Sequence, residues 1–94
     1  GNAAGFGSSQ QLGEPVEYEE LVIRAAPVPE GNQWRLAGVI IKQHEKEDWQ
    51  RTFTRADLYS TRKEAESFSI RKGKQIINEQ GSRLFEDGEK TGRA

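Results

Sequence analysis

The sequence predicts an α+β fold: a three-stranded antiparallel β-meander with one C-terminal α-helix packed on one face, in the order β-β-β-α. Three observations predict it. Three runs between Tyr18 and Ala56 alternate apolar and polar residues with a period of two and are separated by turn chemistry. After Thr61 the period changes to that of a helix. The large apolar residues are also confined: before Tyr18 stand only Phe6, Leu12 and Val16, and none lies beyond Phe85. With 94 residues, one domain is expected over 18–85, between a flexible leader at 1–17 and a flexible tail at 86–94. A domain of that size buries a small fraction of its surface and is marginally stable.

The leader, "GNAAGFGSSQQLGEP", is small, polar and Gly-rich, and "EDGEKTGRA" at the far end has the same character. The first strand lies in "YEELVIRAAP", where Leu21, Ile23 and Ala25 alternate on one face and Pro27 ends the run. "PVPEGN" is a turn. In the second strand, "QWRLAGVIIK", Trp34, Leu36 and Ile40 share a face if alternation is unbroken; a bulge at Gly38 would hand the inner face to Val39 and Ile41 instead. The charged connection "QHEKED" leads to "WQRTFTRA", with Trp49 and Phe53 on one face and Gln50, Thr52 and Thr54 on the other.

Thr61, with Glu64 three residues on, forms a capping box that starts a helix over 61–80, and Gly81 is its stop. At 100° per residue, Ala65, Phe68, Ser69, Lys72, Gly73, Ile76 and Ile77 fall on one broad side, and Lys63, Ser67, Arg71, Lys74 and Asn78 on the other. The apolar side must cover the sheet, with Phe68 and Ile76 against Leu36, Ile40 or Phe53, because no other element can. The basic side is then solvated. Lys72, on the apolar side, either snorkels along the core edge or meets a carboxylate such as Asp57. Leu84 and Phe85 come after the stop and fold back on the sheet.

Composition excludes several functions. Without cysteine there is no disulfide, thiolate metal site or cysteine nucleophile, which fits a cytoplasmic protein. No methionine stands at position 1, so the chain is expected to be processed or a fragment. No apolar run approaches the roughly 20 residues of a membrane span, and no membrane partner is expected. Net charge is −1, graded from −4 over residues 1–30 through +1 over 31–60 to +2 over 61–94. That gradient is much weaker than the basic excess of typical nucleic-acid domains.

Chemistry-bearing motifs are absent. His44 is the single histidine, on a charged turn with Glu45, Glu47 and Asp48, and reads as solvated rather than as a metal ligand. "RKGK" lacks the preceding glycine of a phosphate loop and sits inside the helix. Asp57 has no histidine or second carboxylate near it in sequence and reads as a loop-ordering group or a partner of Arg55. No catalytic, cofactor-binding or metal-binding residue is assigned, and no cofactor is expected.

The candidates that remain form an interaction surface. One part is the basic helix side, Lys63, Arg71 and Lys74. The other is the sheet face away from the helix, where Arg24, Arg35, Val39 and Ile41 mix cations with aliphatics among Val22, Ala37, Thr52 and Thr54. Such a face suits a protein partner or weak homo-oligomer formation.

"QWRLAG" (33–38), "FTRAD" (53–57), "STRKEA" (60–65) and "SIRKGKQIINEQGSRLF" (69–85) resemble the small bacterial HlyU family. The resemblance covers roughly residues 18–85, and its last block is the most specific. Gly73 stands where the family usually has alanine, a change that costs about 1 kcal/mol of helix stability and points to close packing. The resemblance implies a transcriptional activator. A helix-turn-helix needs two helices, with the second free to enter the major groove, whereas this chain offers one, which the sheet needs. The expected function is therefore a non-enzymatic regulatory or protein-interaction module; nucleic-acid binding through the basic side of the 61–80 helix is the alternative.

Overall fold

The computed structural model describes residues 11–94. Five strands and one helix come in order: β1 (Val16–Tyr18), β2 (Leu21–Ala25), β3 (Val28–Glu30), β4 (Gln33–Lys42), β5 (Trp49–Tyr59) and α1 (Arg62–Gln80), then a 3-10 turn at Gly81–Phe85. The class is the expected one, an antiparallel sheet leading into a single C-terminal helix, with five strands rather than three. The two additional strands lie on either side of the first expected one: β1 precedes it, and β3 (Val28–Glu30) occupies part of the stretch expected as a turn after Pro27. Ala25 pairs with Gly38 in β2, and Val28 with Arg35 in β3. Both pairs belong to one continuous register, so β2 and β3 run as a single line along β4, interrupted at Ala26–Pro27, where proline has no N–H to donate to a ladder. The remaining strand, β1, folds back on β2 from within the segment expected as leader.

Central β4 carries β2 and β3 on one side and β5 on the other. Its register has no shift at Gly38. The irregularity lies between Arg35 and Ala37, where Leu58 pairs with Arg35 but Thr54 with Ala37, so Arg55–Asp57 of β5 stand against Leu36 alone and β5 carries two extra residues. Alternation along β4 is unbroken, and the bulge expected at Gly38 is replaced by one in β5. Gly38 answers a different demand: a Cβ there would lie 2.6 Å from Phe53 Cζ and 2.8 Å from the Arg24 carbonyl oxygen. The Phe53 ring occupies the space a side chain would need.

Cross-strand triples Ile23–Ile40–Arg51 and Ala25–Gly38–Phe53 define the covered face. Onto it α1 lays Ala65, Ser69, Gly73, Ile76 and Ile77. The small stripe Ala65–Ser69–Gly73 brings the helix axis close: a Cβ on Gly73 would lie 2.6 Å from Ile23 Cγ2. Fully buried Ser69 accepts the Ala37 N–H at 3.2 Å, beside the strand interruption. Phe68, expected in the core, is half-buried at its border, its ring stacked on Tyr59 at 4.7 Å. Ile23, Leu36, Ile40, Phe53, Ile76, Ile77, Leu84 and Phe85 form the core cluster. Thr61 Oγ1 accepts the Glu64 N–H and caps the helix start. At its end the Gly81 N–H reaches the Ile77 carbonyl and the chain passes into the 3-10 turn that buries Leu84 and Phe85, as expected.

Arg51 is 2% exposed. Its guanidinium donates to the carbonyls of Leu84 (2.9 Å), Gln50 (2.8 Å) and Glu89 (2.9 Å) and to Asp87 Oδ1 (2.6 Å), and lies 4.7 Å from the Phe85 ring centroid. Beyond it, the segment expected as a flexible tail lies along β5: Gln50 N–H donates to Lys90 O, Thr52 N–H to Gly92 O, and Ala94 N–H to Thr52 O. The Thr52–Arg93 bridge is parallel. The N-terminal side is held too, since Gly13 N–H donates to Ala25 O and Arg62 donates to Gln11. The expectation of a flexible stretch over residues 1–10 lies outside the described residues.

Two stability measurements test this packing. Gly73→Ala gains about 1 kcal/mol of helix propensity, but forcing a methyl into a filled seam costs about 1–3 kcal/mol; urea denaturation is expected to show a net loss, and a gain would mean that the helix can ride away from Ile23. Arg51→Met strips donors from buried carbonyls, each worth about 1–3 kcal/mol when left unpaired, whereas Asp87, whose side chain is 64% exposed, should lose less than about 1 kcal/mol as Asn. Equal effects of the two substitutions would contradict the assignment of Arg51 as the anchor.

Candidate interaction surface

The seven candidate residues do not form one surface. The domain has two layers, and Lys63, Arg71 and Lys74 lie on the outer side of α1, while Arg24, Arg35, Val39 and Ile41 lie on the opposite side of the sheet. Each group sits on the side that the sequence pattern assigns to it, but the pattern does not show what each side chain does there.

On the helix side, Lys63 is exposed and makes no hydrogen bond or ion pair among the described residues. Arg71 lies over the Phe68 ring at 5.4 Å, and Phe68 is itself stacked on Tyr59. Lys74 lies over the Tyr18 ring at 5.4 Å, and the Tyr18 hydroxyl donates to Asn78 Oδ1 at 2.8 Å. Two of the three cations are thus drawn onto aromatic faces that join α1 to β5 and β1. Burial raises the Tyr59 phenol above its ordinary pKa, the charges of Asp57 and Glu64 push it the same way, and Arg71 opposes them. Lys72 donates to Gln75 Oε1 at 2.9 Å. It takes the edge position expected of it, and no ion pair with Asp57 forms.

On the sheet side, Arg24 Nε donates to the Gly13 carbonyl at 2.8 Å. Arg35 grips Glu30 in β3 with two nitrogens and reaches the Arg55 carbonyl in the β5 bulge at 3.2 Å. This bidentate pair lowers the Glu30 carboxyl below its ordinary pKa, chiefly through the hydrogen bonds, and raises Arg35. Its contribution is present above the ordinary carboxylate range and is lost as pH falls through the lowered value. Val39 is 1% exposed and Ala37 2%, so burial on this side comes without the Gly38 bulge, and Val39 is not accessible to a partner in this conformation. Ile41 and Val22 are half-buried. Leu58, opposite Arg35, is the large apolar side chain most open to solvent at 39%.

Catalytic geometry is not assembled from the remaining candidates. His44 is exposed to solvent, as expected, with its ring stacked on Trp49, centroids 4.7 Å apart. Among the described residues no group of three or more His, Cys, Asp or Glu side chains is placed to hold a metal ion, and no helix is long and apolar enough to cross a membrane. Arg51 escaped the sequence reading, although its signal was present: at period two it shares the face of Trp49 and Phe53, so a buried cation there was legible from alternation alone.

A family model described as transcriptional activator HlyU matches residues 2–85, nearly the whole chain and all of the sheet and helix. The chain belongs to the HlyU family. No curated protein and no solved structure matches it. HlyU is a family of transcriptional regulators, and in this HlyU-family chain the helix that a sequence-reading regulator would place in DNA is packed on the sheet. Gly73, which departs from the alanine the resemblance implies, sits at the tightest point of that packing.

Replacing Lys63, Arg71 and Lys74 together with Gln is expected to leave the fold intact but not its stability unchanged. Two cation–aromatic contacts at about 0.5–1 kcal/mol each predict a loss of about 1–2 kcal/mol, read by thermal melting. A melt identical to that of the parent chain would show that Arg71 and Lys74 are only solvated.

Proposed function

We propose that this HlyU-family domain is a non-enzymatic regulatory module that acts through a protein partner. One observation carries the reading: α1, the only α-helix among the described residues, is committed along its Ala65–Ser69–Gly73 face to β2 and β4. A recognition helix must expose its residues in the major groove, and the outer face of α1 offers Lys63 with two cations already placed on aromatic rings. The net charge of −1 supplies no general attraction to phosphates. A transcriptional role is then served by contact with another protein. The non-enzymatic part of the reading follows the family, which is one of transcriptional regulators rather than an enzyme class.

The same three cations carry the alternative. They lie on one side of α1 over about 17 Å, eleven residues at 1.5 Å each, a span that could follow a phosphate backbone. Titration with duplex DNA at physiological salt separates the readings. No affinity tighter than about 10⁻⁴ M is expected, the weak end of non-specific binding. Micromolar affinity that falls with log salt at about −0.9 per neutralised phosphate, and is lost in the Lys63, Arg71 and Lys74 to Gln variant, would establish nucleic-acid binding instead. Capture from native cells is expected to yield a protein whose retention survives nuclease treatment.

A further inference from the structure

The outer edge of β5, the one turned away from β4, is paired differently from the rest of the sheet. The pairs among β1–β5 are all antiparallel. The strap formed by residues 86–94 instead bridges β5 in parallel. Three main-chain hydrogen bonds hold it: Gln50 N–H to Lys90 O (2.7 Å), Thr52 N–H to Gly92 O (2.9 Å) and Ala94 N–H to Thr52 O (2.7 Å). Side chains add little. Residues 86–93 are all exposed, the Lys90–Glu47 pair lies on the surface and is worth little there, and Ala94 alone of the strap packs against the core cluster. β5 therefore recognises the strap as backbone, with one side-chain contact at its start, where Asp87 Oδ1 accepts from Arg51 Nη2 at 2.6 Å.

The strap is poorly suited to the place it occupies. Gly88 has φ 75° and open space around it, which suits a pivot just after the Arg51–Asp87 contact. Gly92 has no such reason to be glycine. Its φ is not left-handed, and a Cβ there would meet Arg51 Cδ at 3.5 Å, an ordinary contact. Glycine in a paired position weakens a strand, and nothing in the packing asks for this one. The family match ends at Phe85, so β5 and Arg51 lie within it and the strap beyond it. A pairing edge, a weak occupant and a pivot together make a site whose occupant can be exchanged for another extended segment.

We propose that the outer edge of β5 is a strand-addition site for the partner protein, closed by residues 86–94 and opened when an extended acidic segment of the partner replaces them. The inference rests on the protein-partner reading. The incoming segment runs parallel to β5, offers carbonyls to the Gln50 and Thr52 N–H groups, and brings a carboxylate to Arg51. That cation is 2% exposed, and a buried charge that loses its partner is costly. The same requirement argues against a second copy of this chain. Trp49–Thr54, the part of β5 that the strap covers, contains no carboxylate, and the strap of another copy carries the same Gly92 as the one already in place.

The test uses the full ¹⁵N-labelled chain and a blocked peptide, Glu-Asp-Gly-Glu-Lys-Thr-Val-Arg-Val, which is the strap sequence with valine, a better strand former, in place of Gly92 and Ala94. In the parent chain the Gln50 and Thr52 amides are expected to exchange hydrogen faster than those of Arg51 and Phe53, which alternation turns towards β4. Peptide binding is expected to move the Ala94 amide to an unpaired position. N-methylating the last valine removes the N–H that Thr52 O would accept, and Asn for Asp removes the carboxylate; both controls are expected to bind more weakly. Gly92→Ala tightens the strap. It is expected to slow exchange at Gln50 and Thr52 and to weaken peptide binding by the same factor, about two- to five-fold. Asp87→Asn loosens the strap and is expected to act in the opposite direction on both. A strap with a structural role alone would change stability in these variants and leave peptide affinity as it is.

No peptide binding even to the Asp87→Asn variant, equal binding of the N-methyl control, exchange at Gln50 and Thr52 as slow as at Arg51 and Phe53, or an affinity indifferent to Gly92→Ala would each overturn the assignment. Self-association of the Asp87→Asn variant in place of peptide binding would give the edge to a second copy instead. Nuclease-resistant capture of a protein by the Gly92→Ala variant at the parent level would leave the protein-partner reading standing while the edge falls. No such capture by the parent or by the Asp87→Asn variant would remove that reading, and this proposal with it.

Discussion

The close approach of α1 to the sheet governs this fold. A helix usually stands off a sheet by the width of large side chains; here the central positions are Ala65, Ser69 and Gly73. Because Gly73 has no side chain, Ile23 fills that space. Because Ser69 is short and polar, it reaches the Ala37 N–H beside the Ala26–Pro27 interruption. One stripe of small residues therefore closes the core, satisfies a main-chain donor where the strand breaks, and fixes the face that α1 turns away from solvent. A bulkier stripe would lift the helix and open both the Ile23 contact and the hydrogen bond.

A second anchor holds the chain beyond the helix. Arg51 places a cation in the core, a costly act unless its donors are satisfied. Its hydrogen bonds end on the 3-10 turn and on residues 87–89. The turn that buries Leu84 and Phe85 and the segment that lies along β5 thus share one side chain. This arrangement covers the outer edge of β5, where unpaired N–H and C=O groups would otherwise invite another strand.

These two anchors also shape function. The seam along α1 commits one face of the only α-helix among the described residues to the sheet. The aromatic contacts of Arg71 and Lys74 then reduce the free charge on the face that remains. On the far side of the sheet, Arg24 and Arg35 hold the Gly13 carbonyl and the Glu30–bulge junction rather than pointing freely outward. Several cations of this HlyU-family domain thus make contacts within the fold, among them Arg24, Arg35, Arg51, Arg71 and Lys74.

The class, the three longer strands and the helix were legible in the amino-acid sequence. They obey local rules: alternation with a period of two, a capping Thr61, a glycine after Gln80, and a 3.6-residue period that placed Ala65, Ser69, Gly73, Ile76 and Ile77 together. The covered face of the first expected strand was legible for the same reason, since Leu21, Ile23 and Ala25 alternate, whereas that of β4 stayed open between Leu36 with Ile40 and Val39 with Ile41. Other features needed the folded chain. Whether Gly38 marks a bulge depends on the neighbouring strand, and the two extra residues proved to lie within Arg55–Asp57 of β5. Whether "EDGEKTGRA" is tethered depends on Arg51, buried far earlier in the chain, which composition cannot register. Whether Phe68 lies inside or at the border depends on where Tyr59 meets it. Periodicity reports which way a side chain points from its own backbone, but it carries no information about what stands opposite, and that is where every one of these outcomes was set.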